Sequence, residues 1–498
     1  MAAGLRRDER STTGADVPWT PRRVTTAGLL LAAVLLLLLV GIAGPSAAKP
    51  PLGPGGQELP WAPGPWLVTV LLWTAYVLGA LGVHLHLRWG LPTRGSWTWA
   101  LALPAIAVAT GWATAFGSAD HTNYAAYGRI ADLGGDPYLT APNSWPGHDP
   151  VISAVRPPWD GTTSIYGPFA TLLQQAASAL GGSNLRATVL WWQVGCLVAF
   201  AVVPMLLEQS GASRSRVTAL WLANPLVLGL AVFGAHVDVV AAALVVLTLW
   251  AAPRSAFVAG LFAGLAVSTK VTAAVVVVAV LVAWWVHERR GWGSRSARYV
   301  GGVLVTAVPL HWWAGPHVFD QLERARRSIS LATPWRLVYQ LVDGPLGGAA
   351  ARTLVTVLSV VVALLLVVVL ARLTRGLAPV SVLGTATRWT FVLSTAYALS
   401  AAYSLPWYLL LTWATLPLLG ASVLDRALLV HLLAATLAYV PGRVEGMTAT
   451  VQRVTLWVRR VPVPYAVLLV WGWLTRAAWS GSSRSRAPRP PEPAPPPR

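Results

Sequence analysis

The side chains best suited to chemistry are carboxylates gathered in one polar stretch of an otherwise apolar chain. Residues 117–187 contain five of the 18 acidic residues, namely Asp120, Asp132, Asp136, Asp149 and Asp160. A carboxylate beside an apolar wall has a raised pKa and becomes a better general base for a hydroxyl that reaches it. We therefore expect proton transfer here, with Asp120, next to a hydrophobic segment, as the first candidate for the base.

A structural role competes with this chemical role. Asp120 could also be the N-cap of a short interfacial helix, and the two roles are compatible. The sequence does not decide between Asp120 and three other candidate bases, which are Asp132, Asp136 and Asp238.

Two short motifs in the same stretch predict turns. Gly-Gly-Asp-Pro-Tyr at 134–138 predicts a tight turn, and Tyr-Gly-Pro at 166–168 predicts the entry to a helix over 168–180. A sugar site would use such loops for stacking and hydroxyl hydrogen bonds. Trp145, Trp159 and Tyr166 are available for that purpose, although Trp and Tyr are also expected at a membrane interface.

Ionisable residues at the edges of apolar segments form a second group of candidates. His236 and Asp238 follow one such segment, and Lys270 interrupts another. Such residues usually face a cavity or a partner. A structural histidine and a snorkelling lysine are the alternatives. His236 and Asp238 lack the further ligands of a zinc site, so no metal site is predicted.

A basic cluster lies at Arg324, Arg326 and Arg327. It falls on the predicted outer side, where positive charge is normally scarce. Arginine suits bidentate contact with phosphate, so the cluster and Lys270 are candidates for holding a phosphate. Contact with lipid headgroups is the alternative.

The composition predicts the elements that must position these residues. The 498 residues are 55% apolar, and apolar runs of this length cross a bilayer as helices. We predict an all-α polytopic membrane protein with about 12–14 transmembrane helices. The hydrophobic segments run over 24–44, 66–87, 97–116, 188–207, 217–232, 237–252, 256–269, 271–286, 299–313, 353–371, 385–402, 407–423, 427–440 and 464–479.

The basic residues predict the orientation and the domain limits. The net charge of +19 is spread over the gaps between hydrophobic runs, which argues for membrane topology and against nucleic-acid binding. We expect a cytoplasmic basic tail over 1–23, a transmembrane domain over 24–479 with a large outer loop at 117–187, and a disordered cytoplasmic tail over 480–498. The single cysteine excludes a disulfide framework.

The order of the motifs resembles the GT-C superfamily of polytopic glycosyltransferases. After the Asp come Tyr-x-x-Tyr-Gly-Arg, Gly-x-Asp-Pro-Tyr, Tyr-Gly-Pro, Trp-Leu-x-Asn-Pro, His-x-Asp, Ala-Gly-x-x-x-Gly-Leu-Ala with a following Lys, and Pro-Trp-Tyr. Within that superfamily the chain is most similar to the polyprenol-phosphomannose-dependent α-(1→6)-mannosyltransferases that build lipoglycans in mycobacteria and their relatives. The resemblance covers about 115–425. The large outer loop follows the third hydrophobic segment rather than the first, which departs from the superfamily's pattern.

The resemblance implies a reaction and its partners. A polyprenyl-phosphate sugar, with mannose as the expected sugar, would be the donor, and a glycolipid or glycan would be the acceptor at the outer face of the cell membrane. Asp120 would be the base of an inverting transfer, with membrane lipids around it and no cofactor, a divalent metal being left open. The candidate substrate-binding residues are Tyr124, Arg129, Asp136, Tyr138, Tyr166, His236, Asp238, Lys270, Arg324, Arg326, Arg327 and Trp407.

Two other functions fit parts of the sequence. A transporter or flippase of a lipid-linked sugar would also have many helices and charges at membrane depth. Transporters usually show related halves with broken helices, which we do not find, and a carrier does not need the Asp-rich loop. An O-antigen ligase or protein-glycosylating enzyme would share the donor chemistry but not the acceptor.

Overall fold

The structure is a computed structural model that describes residues 19–53, 55–91, 96–322, 328–442 and 446–480. Over residues 96–101 only the backbone is described. Over these ranges it contains helices and loops but no β-strand, which confirms the all-α prediction. The α-helices are α1 Pro21–Ile42, α2 Pro65–Trp89, α3 Ser96–Ala109, α4 Asp120–Asp132, α5 Pro168–Gly181, α6 Leu185–Gln209, α7 Arg214–Val217, α8 Pro225–Leu228, α9 Asp238–Ala251, α10 Ala256–Val267, α11 Val275–His287, α12 Trp292–Ala314, α13 Pro334–Leu346, α14 Gly348–Leu373, α15 Val382–Ser400, α16 Leu410–Thr415, α17 Val423–Tyr439, α18 Ala449–Arg460 and α19 Pro462–Ser480.

Several of these helices have the length and composition of membrane spans. Within the described ranges five helical stretches qualify, namely α1, α2, α6, α14 and the α18–α19 stretch. A sixth is a pair of helices, Arg214–Leu222 and Pro225–Phe233, bent by 47°, so the structure contains a broken span that was not found in the sequence. Shorter apolar helices follow at Asp238–Ala251, Ala256–Val267 and Val271–His287. The chain is therefore a multi-pass membrane protein, while the number of 12–14 crossings stays a prediction.

The bend in the sixth span has a local cause. Asn224 is fully buried, and its side chain accepts a hydrogen bond from the N–H of Leu226 at 3.1 Å. Pro225 cannot donate a backbone hydrogen bond, so the first helix ends and a second begins with Asn224 as its N-cap. The second helix of the bent pair ends at Phe233, and the loop that contains His236 follows it directly.

The structure corrects several helix limits. The helix predicted over 97–116 ends at Ala109, and Asp120 is the first residue of α4 rather than the end of a hydrophobic helix. The N-cap of α4 is Ala119, and no side chain caps the helix, so the capping alternative for Asp120 is wrong. The amphipathic helices α13 and α18 were not predicted, because polar residues interrupt the apolar ones and neither helix contains a long apolar run. Most of the two predicted tails, and Arg324, Arg326 and Arg327, lie outside the described residues.

Candidate active site

Four distant parts of the chain meet around Asp120. The carboxylate of Asp120 lies 3.8 Å from Nε2 of His236, which precedes α9. The imidazole of His236 stacks on Trp407, with ring centroids 3.7 Å apart. Two residues beyond His236, Asp238 pairs with Lys270 from the end of α10. Residues predicted separately as candidates therefore form one cluster, held by the starts of α4 and α9, the end of α10 and the 3-10 turn Pro406–Leu409.

The protonation state of His236 follows from its two hydrogen bonds. Nδ1 lies 2.8 Å from the carbonyl oxygen of Leu230, which can only accept, so Nδ1 carries the proton. Nε2 then accepts a hydrogen bond from the hydroxyl of Ser118 at 3.1 Å. The same hydroxyl oxygen accepts from the backbone N–H of Asp120 at 3.2 Å. A neutral His236 thus fixes the first turn of α4 through Ser118, and burial, which lowers the pKa of His236 to about 3, maintains that state.

The backbone before His236 is held in an unusual conformation. Ala235 has φ of 49°, in the left-handed region that residues with a Cβ rarely adopt. Its carbonyl accepts a hydrogen bond of 2.7 Å from the indole N–H of Trp192 on α6. The strained turn directs His236 back toward Ser118 and Asp120, which is a pattern common at functional sites.

Lys270 is held between an anion and an aromatic ring. Its ammonium lies 2.5 Å from Oδ1 of Asp238 and 4.0 Å from the centroid of the Tyr408 ring. The Lys270 side chain is only 15% exposed, so this lysine does not snorkel to an interface. The other oxygen of Asp238, Oδ2, is buried without a hydrogen-bond partner in the described part of the chain, which leaves an acceptor available beside the ammonium.

The Tyr-Gly-Pro motif attaches the polar loop to the segment before Lys270. The N–H of Gly167 donates to the carbonyl of Thr269 at 3.1 Å, and the N–H of Phe169 donates to Ser268 at 2.8 Å. A Cβ at Gly167 would overlap the carbonyl oxygen of Ser268. Tyr166 packs edge-on against Tyr124 of α4, with centroids 4.9 Å apart. The motif also begins α5 at Pro168, as predicted.

Replacing Gly167 with alanine should therefore displace Lys270 from the cluster. We expect Gly167→Ala to lower the free energy of unfolding by about 1–3 kcal/mol through overpacking. We also expect it to reduce the enzymatic activity at equal protein level. Gly64→Ala is the matched control, because no atom lies within 4 Å of a Cβ built there. The melting temperatures of the two purified variants check this. Equal melting temperatures would contradict the expected steric conflict between residue 167 and the carbonyl group of Ser268.

Asp120 is the unpaired carboxylate of the cluster. No described residue gives its side-chain oxygens a hydrogen bond, and its side chain is 16% exposed. Burial and, to a smaller extent, the Asp238 carboxylate raise the pKa of Asp120, the Lys270 ammonium opposes both, and the resulting pKa is about 7. At neutral pH the group thus exchanges readily between its acid and base forms, which is the property required of a general base.

Three other candidate residues have partners within the protein. Arg129 bridges Asp149 at 2.9 Å and Asp132 at 3.1 Å. Asp136 accepts a hydrogen bond from the backbone N–H of Tyr138 at 2.7 Å and so stabilises its own turn. The Tyr138 hydroxyl lies 2.8 Å from the hydroxyl of Thr171. Substrate binding by Arg129, Asp136 and Tyr138 stays a prediction, since the contacts they make here are structural.

Two residues at the centre of the cluster were not predicted as site residues from the sequence. Ser118 links His236 to α4, and its only signal was its position two residues before Asp120. Tyr408 lies against Lys270, and it was quoted in the Pro-Trp-Tyr motif without being selected. Among the described residues no group of three His, Cys, Asp or Glu is arranged to hold a metal ion.

Comparison with known proteins identifies the family. Residues 25–287, just over half of the chain, match the family model described as "Alpha-(1->6)-mannopyranosyltransferase, N-terminal domain". The chain belongs to this family. The matched region contains Asp120, His236, Asp238 and Lys270, whereas Trp407, which completes the cluster, lies beyond it.

Individual members of the family match over shorter segments. A "Probable alpha-(1->6)-mannopyranosyltransferase" of Mycolicibacterium smegmatis is 34% identical over 126 residues, which is 24% of this chain and 22% of the relative. A Mycobacterium tuberculosis relative is 33% identical over 126 residues, covering 24% and 21%. "Alpha-(1->6)-mannopyranosyltransferase A" of Corynebacterium glutamicum is 29% identical over 165 residues, covering 32% and 33%. The aligned segments thus span a fifth to a third of these relatives, and no solved structure matches.

Proposed function

We propose that this protein transfers mannose from a polyprenyl-phosphate donor to the hydroxyl of a glycan or glycolipid acceptor, at the outer face of the membrane, with Asp120 as general base. Membership of the α-(1→6)-mannopyranosyltransferase family supports the sugar and the reaction class. The observation that carries the proposal is an unpaired, largely buried carboxylate beside the Asp238–Lys270 pair in a membrane protein of that family.

The neighbouring carboxylates are less suited to act as the base. Asp132 accepts hydrogen bonds from Arg129 and Ser178, and Asp136 stabilises its own turn. Asp238 is paired with Lys270 at 2.5 Å, so one of its two oxygens is already occupied. Asp120 alone among these four candidates has no hydrogen bond to its side chain within the described ranges, so its carboxylate is available to an incoming hydroxyl.

The transfer can be written with every atom accounted for. Asp120 takes the proton of the acceptor hydroxyl while that oxygen attacks the anomeric carbon of the donor. The bond from that carbon to the phosphate oxygen breaks, and its electron pair leaves with the lipid phosphate. Attack opposite the leaving group inverts the configuration, so a β-linked donor gives an α-linked product. Lys270 stabilises the charge that develops on the phosphate, while His236 and Ser118 hold the helix turn that carries Asp120.

The pKa of Asp120 predicts the pH dependence of transfer. The base must be ionised, and a pKa of about 7 means that half of the sites are active at that pH. We expect kcat/KM to rise with pH, to be half-maximal near pH 7, and to fall about tenfold per unit well below that point. Initial rates with labelled donor between pH 5 and 8.5 check this.

Binding of a non-hydrolysable donor analogue over the same pH range is the control. It shows whether a loss of donor affinity, rather than protonation of the base, reduces the rate at low pH. A rate that is flat from pH 5 to 8, or that falls as the pH rises through 7, contradicts the role of Asp120.

A further inference from the structure

A cleft opens where the last turns of α2 meet the start of α17 and the second half of α19. Its volume is about 500 Å³, which lies within the range of about 300–1,000 Å³ typical of ligand sites. Three basic side chains line it, those of His84 and Arg88 on α2 and of Arg426 on α17. We call it the basic cleft, and none of its lining residues belongs to the candidate active site.

The basic cleft lies at the far end of its helices from Asp120. α17 ends at Tyr439, whose ring packs edge-on against Trp407 of the candidate active site, with centroids 4.9 Å apart. Arg426 lies in the first turn of the same helix. At a rise of 1.5 Å per residue, the helix places Arg426 about 20 Å from Tyr439. With the Asp120 cluster at the outer face, as proposed, the basic cleft opens toward the cytoplasmic side.

The two arginines of the basic cleft have no acidic partner in the part of the chain that the structure describes. Both are exposed, and neither guanidinium makes a hydrogen bond or an ion pair within those ranges. Other arginines differ in this respect, since Arg214 pairs with Glu208 at 3.3 Å and Arg295 pairs with Glu288 at 2.6 Å. A cleft lined by charges of one sign concentrates ions of the opposite sign.

The carboxylate in the lining of the basic cleft already has a cationic partner. Asp425 accepts two hydrogen bonds from the guanidinium of Arg216, at 2.9 Å and 3.0 Å, and one from the backbone N–H of Ser422 at 3.1 Å. The side chain of Asp425 is only 7% exposed, and Arg216 lies outside the lining. Because Arg216 balances the charge of Asp425, the charges of Arg88 and Arg426 are left uncompensated, and an anion is the ligand that they favour.

The remaining lining suits a lipid better than a free ion. Leu87 on α2, Val423 on α17 and the indole of Trp473 on α19 share the basic cleft with the two arginines. Tryptophan prefers the headgroup level of a bilayer, and basic pockets between transmembrane helices bind phosphate headgroups. Arginine can also form two parallel hydrogen bonds to a phosphate. α2 and the α18–α19 stretch have the length and composition of membrane spans, so lipid chains can lie alongside them below the headgroup.

We infer that the basic cleft binds the phosphate headgroup of an anionic membrane lipid, with Arg88 and Arg426 as the groups that hold the phosphate and Trp473 as an aromatic wall. Bound there, the lipid connects α2, α17 and α19 at the side of the membrane opposite to Asp120. The positive-inside rule accounts for arginines on this side, but it does not require two of them to converge on one cavity. The inference does not depend on the proposed mannose transfer.

Native mass spectrometry of the delipidated full-length protein in detergent tests this inference. The protein is titrated with dioleoylphosphatidylglycerol, with dioleoylphosphatidylcholine as the lipid without net charge, and with glycerol 3-phosphate as the probe without chains. Arg88→Gln and Arg426→Gln should each weaken phosphatidylglycerol binding by about 5-fold, because each removes one cation from the phosphate. Arg290→Gln is the matched control. Arg290 is also exposed, follows α11, which leads away from Lys270, and lies outside the basic cleft.

The outcomes separate a lipid site from general attraction to positive charge. Weaker phosphatidylglycerol binding in both cleft variants, with Arg290→Gln unchanged and equal melting temperatures in lipid-free detergent, supports the site. Unchanged binding in either cleft variant, or an equal loss in Arg290→Gln, overturns it. Equal binding of phosphatidylcholine by the wild type also overturns it. Competition by glycerol 3-phosphate at the same concentration as the lipid identifies a soluble phosphate as the ligand and overturns the lipid assignment.

Discussion

Asp120→Asn should reduce mannose transfer by about 10²- to 10⁴-fold, the usual contribution of a general base. The amide cannot accept the acceptor proton, yet it has the size of the carboxylate and preserves the first turn of α4. Transfer from labelled polyprenyl-phosphomannose, measured at pH 8 where wild-type Asp120 is ionised, gives the comparison. Asp132→Asn is the control, since Asp132 is paired with Arg129.

The stability of Asp120→Asn tests the same environment. The pKa of Asp120 is raised in the fold, so ionisation above that pKa opposes folding, and this cost is absent in the amide. At pH 8 the variant should unfold at the same temperature as the wild type or higher. A variant that is inactive because it is unfolded would melt lower, and an active variant would exclude Asp120 as the base.

Lys270→Met should abolish transfer and also destabilise the protein. Its removal leaves the carboxylate of Asp238 buried without its partner, which typically costs about 3–5 kcal/mol. The double variant Lys270→Met/Asp238→Asn removes both charges and should recover most of that stability. Thermal unfolding and transfer rates of the two variants check these expectations.

The double variant separates a structural pair from a donor site. If Lys270 contacts the leaving phosphate, the double variant stays inactive although it folds. If the pair is only structural, activity returns with stability, which would contradict the phosphate role. Arg295→Met is the control, because it breaks the more exposed pair of Arg295 with Glu288, where little change is expected.

The sequence predicted the helices better than their limits. Long apolar runs such as those of α1 and α14 define helices directly, since the backbone in lipid has to be satisfied internally. The amphipathic α18 has a polar face and contains no long apolar run, so hydrophobicity along the sequence does not reveal it. Asp120 was selected correctly as the start of a helix, but a capping role could not be distinguished from a first-turn position by residue type alone.

The sequence predicted which residues belong to the candidate site but not which of them contact one another. His236, Asp238 and Lys270 were selected because charges beside apolar segments are costly. The pairing of Asp238 with Lys270, 32 residues apart, depends on how α9 packs against α10. Glu58 contacts Arg186, which is 128 residues away in the chain, and no local sequence pattern indicates this contact. Pairing of this kind is a property of tertiary packing.

Mannose transfer by the purified full-length protein in proteoliposomes tests the proposed role of Asp120 most directly. Carbon-13-labelled polyprenyl-phosphomannose and α-(1→6)-mannotetraose are supplied, and the product is analysed by NMR for wild type and Asp120→Asn. We expect a pentasaccharide with a new α-linked mannose from the wild type, and at least about 100-fold less from the variant. Equal product from both proteins, a β-linked product, or movement of the donor lipid across the bilayer without transfer would contradict it.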